Sequence, residues 1–127
     1  MSTFPSSSWV DTAVEAVNDD AEFERFSRAF DATIRFDFGD YACALTIDDG
    51  AVREVHYDPT FATWDFALRA SEGTWRKMLA EVPPPLHNDL LGAWLRGDMT
   101  MEGDLKVAIQ HIRPLKRMLA VFQEVGT

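Results

Sequence analysis

Three histidines, one cysteine and two pairs of adjacent aspartates are the residues here that could carry metal, nucleophilic or acid–base chemistry. His56, His87 and His111 are far apart and fall on three different expected elements. A protein metal site needs closely spaced His, Cys or carboxylate ligands, and no HExxH or CxxC spacing occurs. Cys43 lies mid-strand in the expected pattern, where a cysteine behaves as a small apolar residue. A nucleophilic thiol needs an adjacent base in an electropositive setting, and its neighbours supply neither. There is no GxSxG elbow, Walker loop or GxGxxG. Asp19-Asp20 reads as a helix cap and Asp48-Asp49 as part of a hairpin turn. The residues give no positive evidence for an enzyme, and no metal or cofactor is implied.

The remaining chemistry is apolar. Trp64, Phe66, Trp75, Trp94, Met99 and Met101 have two readings. They form an ordinary core, or they line a cavity, where large aromatics and pliable methionines suit an apolar guest. The binary pattern is the same for both.

The elements that would position these residues follow from periodicity. Val10, Ala13, Val14 and Val17 recur at helical spacing, with Ser8 as the expected cap. Phe23, Phe26 and Phe30 mark a second short helix from Asp19 or Asp20. From Thr33 the period becomes two: Ile34, Phe36 and Phe38 alternate with Arg35 and Asp37. Tyr41–Ile47 continues this pattern, Asp48-Asp49-Gly50 turns, and Ala51–Tyr57 returns. Thr60–Arg69 reads as a fourth strand with Ala62, Trp64, Phe66 and Leu68 on one side, completing an antiparallel meander. Ser71 caps a helix carrying Trp75, Met78 and Leu79, which the prolines at 83–85 end. A short helix, Leu86–Arg96, follows. Gly97-Asp98 and Gly103-Asp104 then bracket a brief strand with Met99 and Met101 on one face. Asp104 caps a last helix striped by Leu105, Ala108, Ile109, Ile112, Leu115, Leu119 and Phe122, and Pro114 should break it near His111–Ile112. The expected fold is α+β: a five-stranded, mostly antiparallel sheet covered by helices. It forms one domain over 1–127, with a leader (1–8), N-terminal helices (9–31), the meander (33–69), middle helices (71–96) and the short strand with its helix (99–124).

At 127 residues the chain can bury an ordinary core without staples. Its formal charge of −9 argues against nucleic acid, which needs a basic face. Residues 1–60 hold 13 acidic and 4 basic side chains, whereas residues 61–127 hold 8 of each. A surface of that sign should be repelled by anionic lipid. One cysteine allows no internal disulfide, which fits a reducing cytoplasm. No apolar run approaches the roughly 20 residues that span a bilayer, so no integral membrane segment is expected.

In sequence order, Ala44–Gly50 with its hairpin, Thr60–Ser71 and above all Leu95–Leu105 (LRGDMTMEGDL) resemble the sterol carrier protein 2 (SCP-2) superfamily, in the form of a bacterial-type stand-alone member. The resemblance covers roughly Phe30 to Phe122. It implies helices on one side of the sheet, a hydrophobic tunnel between the two layers, and non-catalytic binding or transfer of a fatty acid, acyl-CoA, sterol or similar lipid. Carried onto this chain, the tunnel would be lined by Phe36, Phe38, Trp64, Phe66 and Leu68 from the sheet, with Met99 and Met101 from the short strand. Leu79, Leu91 and Trp94 would come from the middle helices, and Ile109, Ile112, Leu119 and Phe122 from a helical lid. Because the superfamily also includes accessory domains, the alternative is an interaction module for a partner enzyme of lipid or quinone metabolism. Self-association as a homodimer stays open.

Overall fold

Helix α1 (Ser7–Asn18) has its cap two residues before the expected Ser8. Ser6 is extended, and its hydroxyl accepts the Trp9 amide at 3.1 Å. Ser8 instead lies in the first turn, where its carbonyl accepts the Thr12 hydroxyl. The helix turns Trp9, Val10, Ala13 and Val17 inward. In this computed structural model, which describes residues 3–80, 94 and 96–127, the segment before α1 is more than a leader. Phe4 is fully buried, edge-on to Trp9 and Phe38 at 4.8 and 4.9 Å.

Asp20 begins α2 (Ala21–Phe26) and has two functions. It accepts the Phe23 amide at 2.8 Å and forms a two-pronged pair with Arg117, at 2.8 and 2.7 Å. The Arg117 hydrogen bonds hold the Asp20 carboxyl below its ordinary range; burial opposes this and the Phe23 amide assists it. A depressed folded pKa contributes stability above the unfolded value, near 3.9, and loses it as pH falls through the folded value. Asn caps as well as Asp. Asp20→Asn should therefore cost about 1 kcal/mol near neutral pH. Urea titrations at neutral and strongly acidic pH should show that difference vanish in acid.

The sheet follows from alternation. In β1 (Ala32–Asp37), Ala32, Ile34 and Phe36 are buried while Thr33, Arg35 and Asp37 are half-buried. β2 (Ala42–Asp48) pairs antiparallel with it, setting Leu45 opposite Ile34 and Cys43 opposite Phe36. At the turn into β3 (Ala51–His56), Asp49 and Gly50 have φ of 48° and 83°. Two positive φ values make the tight hairpin whose twist suits flanking strands.

The fourth strand departs from the expected meander. Pro59–Phe61 forms a 3₁₀ turn capped by Asp58 and packed against β2, and only Phe66–Arg69 (β4) is strand. β4 pairs in parallel with β1, on the edge opposite β2. Asp65 fixes this position: its carboxylate accepts the Thr33 amide at 2.7 Å, and its own amide donates to the Thr33 carbonyl at 2.8 Å. Residues 57–65 thus carry the chain past β2 and β1, where a tight turn would have kept it beside β3. β5 (Thr100–Gly103) adds antiparallel to β4, and the strand order is β3-β2-β1-β4-β5. The result is a mixed, mostly antiparallel five-stranded α+β sheet.

Ser71 caps α3 (Glu72–Met78), which buries Trp75 and Met78. Most of the expected Leu86–Arg96 helix, including Leu91, lies outside the described residues. Asp104 caps α4 (Leu105–Gln110) by accepting the Val107 amide. The chain leaves helical geometry at His111 and re-enters it in α5 (Ile112–Val125), as Pro114 requires by lacking an amide for the preceding turn. The break ends the expected continuous stripe. α5 buries Leu115, Met118, Leu119, Val121 and Phe122, but α4 buries Ala108 and leaves Ile109 42% exposed. Among the described residues no helix is long and apolar enough to cross a membrane.

Candidate functional site

The space between sheet and helices is filled with rings. Phe36 stands 5.9 Å from Phe38, 6.2 Å from Trp75 and 5.6 Å from Phe122. Trp9 closes on Phe122 at 5.4 Å. Most of these contacts are edge-to-face, the geometry favoured by the aromatic quadrupole.

This core collects most of the side chains expected to line a tunnel. Phe36, Phe38, Phe66, Leu68, Leu79, Met99, Met101, Leu119 and Phe122 belong to one buried cluster, and Trp94 and Ile112 are partly buried against it. Trp64 is half-buried and packs at Gly103, outside the cluster, and Ile109 faces solvent. Thr63, which a one-residue slip would have turned inward, is exposed. Phe4, Trp9 and Met118 were missed as members. Phe4 had no periodic neighbour to mark it, while Met118 continues the Leu115 stripe at helical spacing.

A groove of about 680 Å³ opens at one end of this core. Its described lining comes from Leu79 and Ala80, just past α3, and from Ala120, Gln123, Glu124, Val125, Gly126 and Thr127. That volume lies within the roughly 300–1,000 Å³ of small-molecule sites. Gln123 Nε2 donates to the Ala80 carbonyl at 2.8 Å, tying the two walls together. The Trp9 indole donates to the Gly126 carbonyl at 2.7 Å and anchors the end of α5. Leu79 belongs to both the groove and the core; among the described residues, it alone of the expected tunnel side chains lines the groove.

The polar candidates stay dispersed. Cys43 is buried, and burial pushes its thiol up to about 12. His56 faces Glu54 on β3, whereas His111 stacks on Phe30 at 4.6 Å with Nδ1 3.0 Å from the Val107 carbonyl. His87 lies outside the described residues. The Tyr57 hydroxyl donates to Asp11, and this bond raises its pKa. Among the described residues no group of three His, Cys, Asp or Glu could hold a metal ion.

No protein-family model and no curated protein matches the chain. Solved structures do. A crystal structure of sterol carrier protein 2 aligns with a TM-score of 0.81 and 17% identity, over 96% of this chain and 98% of that one. A conserved hypothetical protein of Thermus thermophilus, described as possibly a sterol carrier protein, aligns at 0.77 and 18% over 100% and 92%. The UbiJ-SCP2 ubiquinone synthesis protein aligns at 0.57 and 14% over 88% and 90%. Over nearly its whole length the chain thus has the SCP-2 fold.

Proposed function

We propose that the chain binds, and hands on, an apolar small molecule such as an acyl chain or polycyclic lipid, without transforming it. The groove bounded by Leu79 and the end of α5 carries this reading, since it is roomy and opens directly beside the apolar core. The tail would lie along Leu79 toward Leu119 and Phe122, with Gln123 and Glu124 at the mouth. Burying methylenes contributes about 0.8 kcal/mol each. About sixteen, roughly 13 kcal/mol in total, would leave about 8 kcal/mol after an ordering cost of about 5 kcal/mol, which is micromolar affinity without a charged anchor. The likeness to a sterol carrier protein supports the same ligand class.

Ala120 offers a direct test because it lines the groove and is only half-buried. A tryptophan there should occupy the space without entering the core. The expected result is micromolar binding of a fluorescent fatty acid by the natural protein and at least tenfold weaker binding by Ala120→Trp, with matching melting curves. Native mass spectrometry should also find an apolar molecule on protein taken from cells. Ligand-free protein that takes up no fluorescent fatty acid would sink the reading.

A second reading is an accessory domain for a partner enzyme. The solid aromatic interior favours it, because Phe36, Phe38, Trp75 and Phe122 leave little of a tunnel in that region. The likeness to a ubiquinone synthesis protein points the same way. It would be favoured by a cellular pull-down that recovers one enzyme in fixed ratio, with Ala120→Trp leaving that capture intact.

A further inference from the structure

Phe4 reaches the core from a segment that belongs to no helix or strand. Its fully buried ring stands edge-on to Trp9 at 4.8 Å and to Phe38 at 4.9 Å. The Arg76 guanidinium lies over the same ring at 5.5 Å. Arg76 Nη2 also donates to the Phe4 carbonyl at 2.5 Å, while its Nε donates to Glu72 at 3.0 Å. Among the described residues, the bond to Arg76 is the only hydrogen bond made by residues 3–5. The ring is therefore enclosed by side chains, but its backbone joins no ladder and is tied at one point. Withdrawing it breaks one hydrogen bond and no element of secondary structure.

These contacts have the form of ligand recognition. From ring to carbonyl, Phe4 is a 3-phenylpropanoyl group: an aromatic ring, two carbons and an acceptor oxygen. Trp9 and Phe38 hold the ring by their edges, and Arg76 meets both ends, as a cation over the ring and as a donor to the oxygen. A guanidinium bonds a carboxylate more strongly than a neutral carbonyl. An acid of the same skeleton would thus fill the niche and give Arg76 a charge where Phe4 gives a dipole.

We propose that this niche is a ligand site for an arylalkanoic acid, with a carboxylate two carbons from its ring. Phe4 is the built-in occupant, and it swings out when the acid binds. None of Trp9, Phe38 and Arg76 lines the groove, so the inference is independent of what the groove holds.

The test is calorimetric titration of the full chain with 3-phenylpropanoate and with its neutral amide. Displacing a buried ring makes the open niche a minor state, and the observed affinity falls by that fraction. Phe4→Ala vacates the niche and should bind the acid at least tenfold tighter than the natural protein does. In that variant the acid should bind about tenfold tighter than the amide, and Phe4→Ala/Arg76→Gln should lose this preference. Phe4→Leu keeps more of the packing and should fall between the natural protein and Phe4→Ala. In the natural protein, NMR signals of the Phe4 ring should move to those of an exposed ring as acid is added, and Ala120→Trp should titrate identically.

Acid and amide binding alike to Phe4→Ala would mean a void that takes any apolar guest, and would overturn the proposal. Binding to the natural protein with the Phe4 signals unmoved would overturn it too, as would no binding to whichever of Phe4→Ala and Phe4→Leu melts cooperatively.

Discussion

Trp75→Ala is expected to lower stability by about 4 kcal/mol, the cost of emptying a large aromatic site. Trp75 is fully buried on α3 and stands edge-on to Phe38 at 4.9 Å. Its indole N–H donates to the Asp37 carbonyl at 2.7 Å, where β1 ends. The truncation therefore opens a cavity and unties α3 from the central strand. With total stabilities of about 5–15 kcal/mol for such domains, much of the margin disappears. The melting temperature should fall by roughly 15 °C. Trp75→Phe keeps a six-membered ring but loses the hydrogen bond and the pyrrole edge, so it should cost about 2 kcal/mol. Urea denaturation of the two variants separates packing from bonding. If they lose equal stability, the hydrogen bond dominates and the packing argument fails.

Gly103→Ala is expected to be nearly as damaging, although it adds one methyl group. Gly103 has a φ of +92°. A Cβ there would lie 2.5 Å from the Asp65 carbonyl oxygen and 2.9 Å from Trp64 Cζ3. That carbonyl is not free to retreat, because it accepts the Asp104 amide at 2.7 Å at the start of α4. Backbone strain and displacement together should cost about 3 kcal/mol. Gly97 is the control: its φ is +83° but nothing lies within 4 Å of a Cβ built there. Gly97→Ala should therefore cost only about 1 kcal/mol. Equal melting temperatures for the two alanine variants would rule out the steric argument.

Local chemistry explains how much of this fold was legible. The caps Asp20, Ser71 and Asp104 are short polar side chains before apolar stripes, and each accepts an amide as that pattern implies. Pro114 announced the break at His111, and Asp49-Gly50 announced the hairpin. Strand partnership was less legible, because alternation tells which face is buried and not which neighbour is paired. Phe66 and Leu68 were placed on the inward face, but their parallel partners Ile34 and Phe36 depend on Asp65 gripping Thr33 across 32 positions. Phe4 sits among small polar residues, so no period marked it, and its burial comes from distant Phe38 and Arg76. The site was the hardest part to read. Phe36, Phe38 and Phe66 carry the pattern of a core and of a cavity wall alike. The groove is lined instead by Ala120, Gln123 and Val125, which no period singles out.

The Trp9–Gly126 hydrogen bond links positions 117 apart. During synthesis, at about 5–20 residues per second, Trp9 would wait roughly 6–23 s for that partner to be made. Until α5 emerges, Trp9, Val10, Ala13 and Val17 have no helix to cover them, and the sheet lacks Phe122. A nascent chain of this protein therefore carries a transient apolar surface. Its last turn of helix both finishes the groove and ends that exposure.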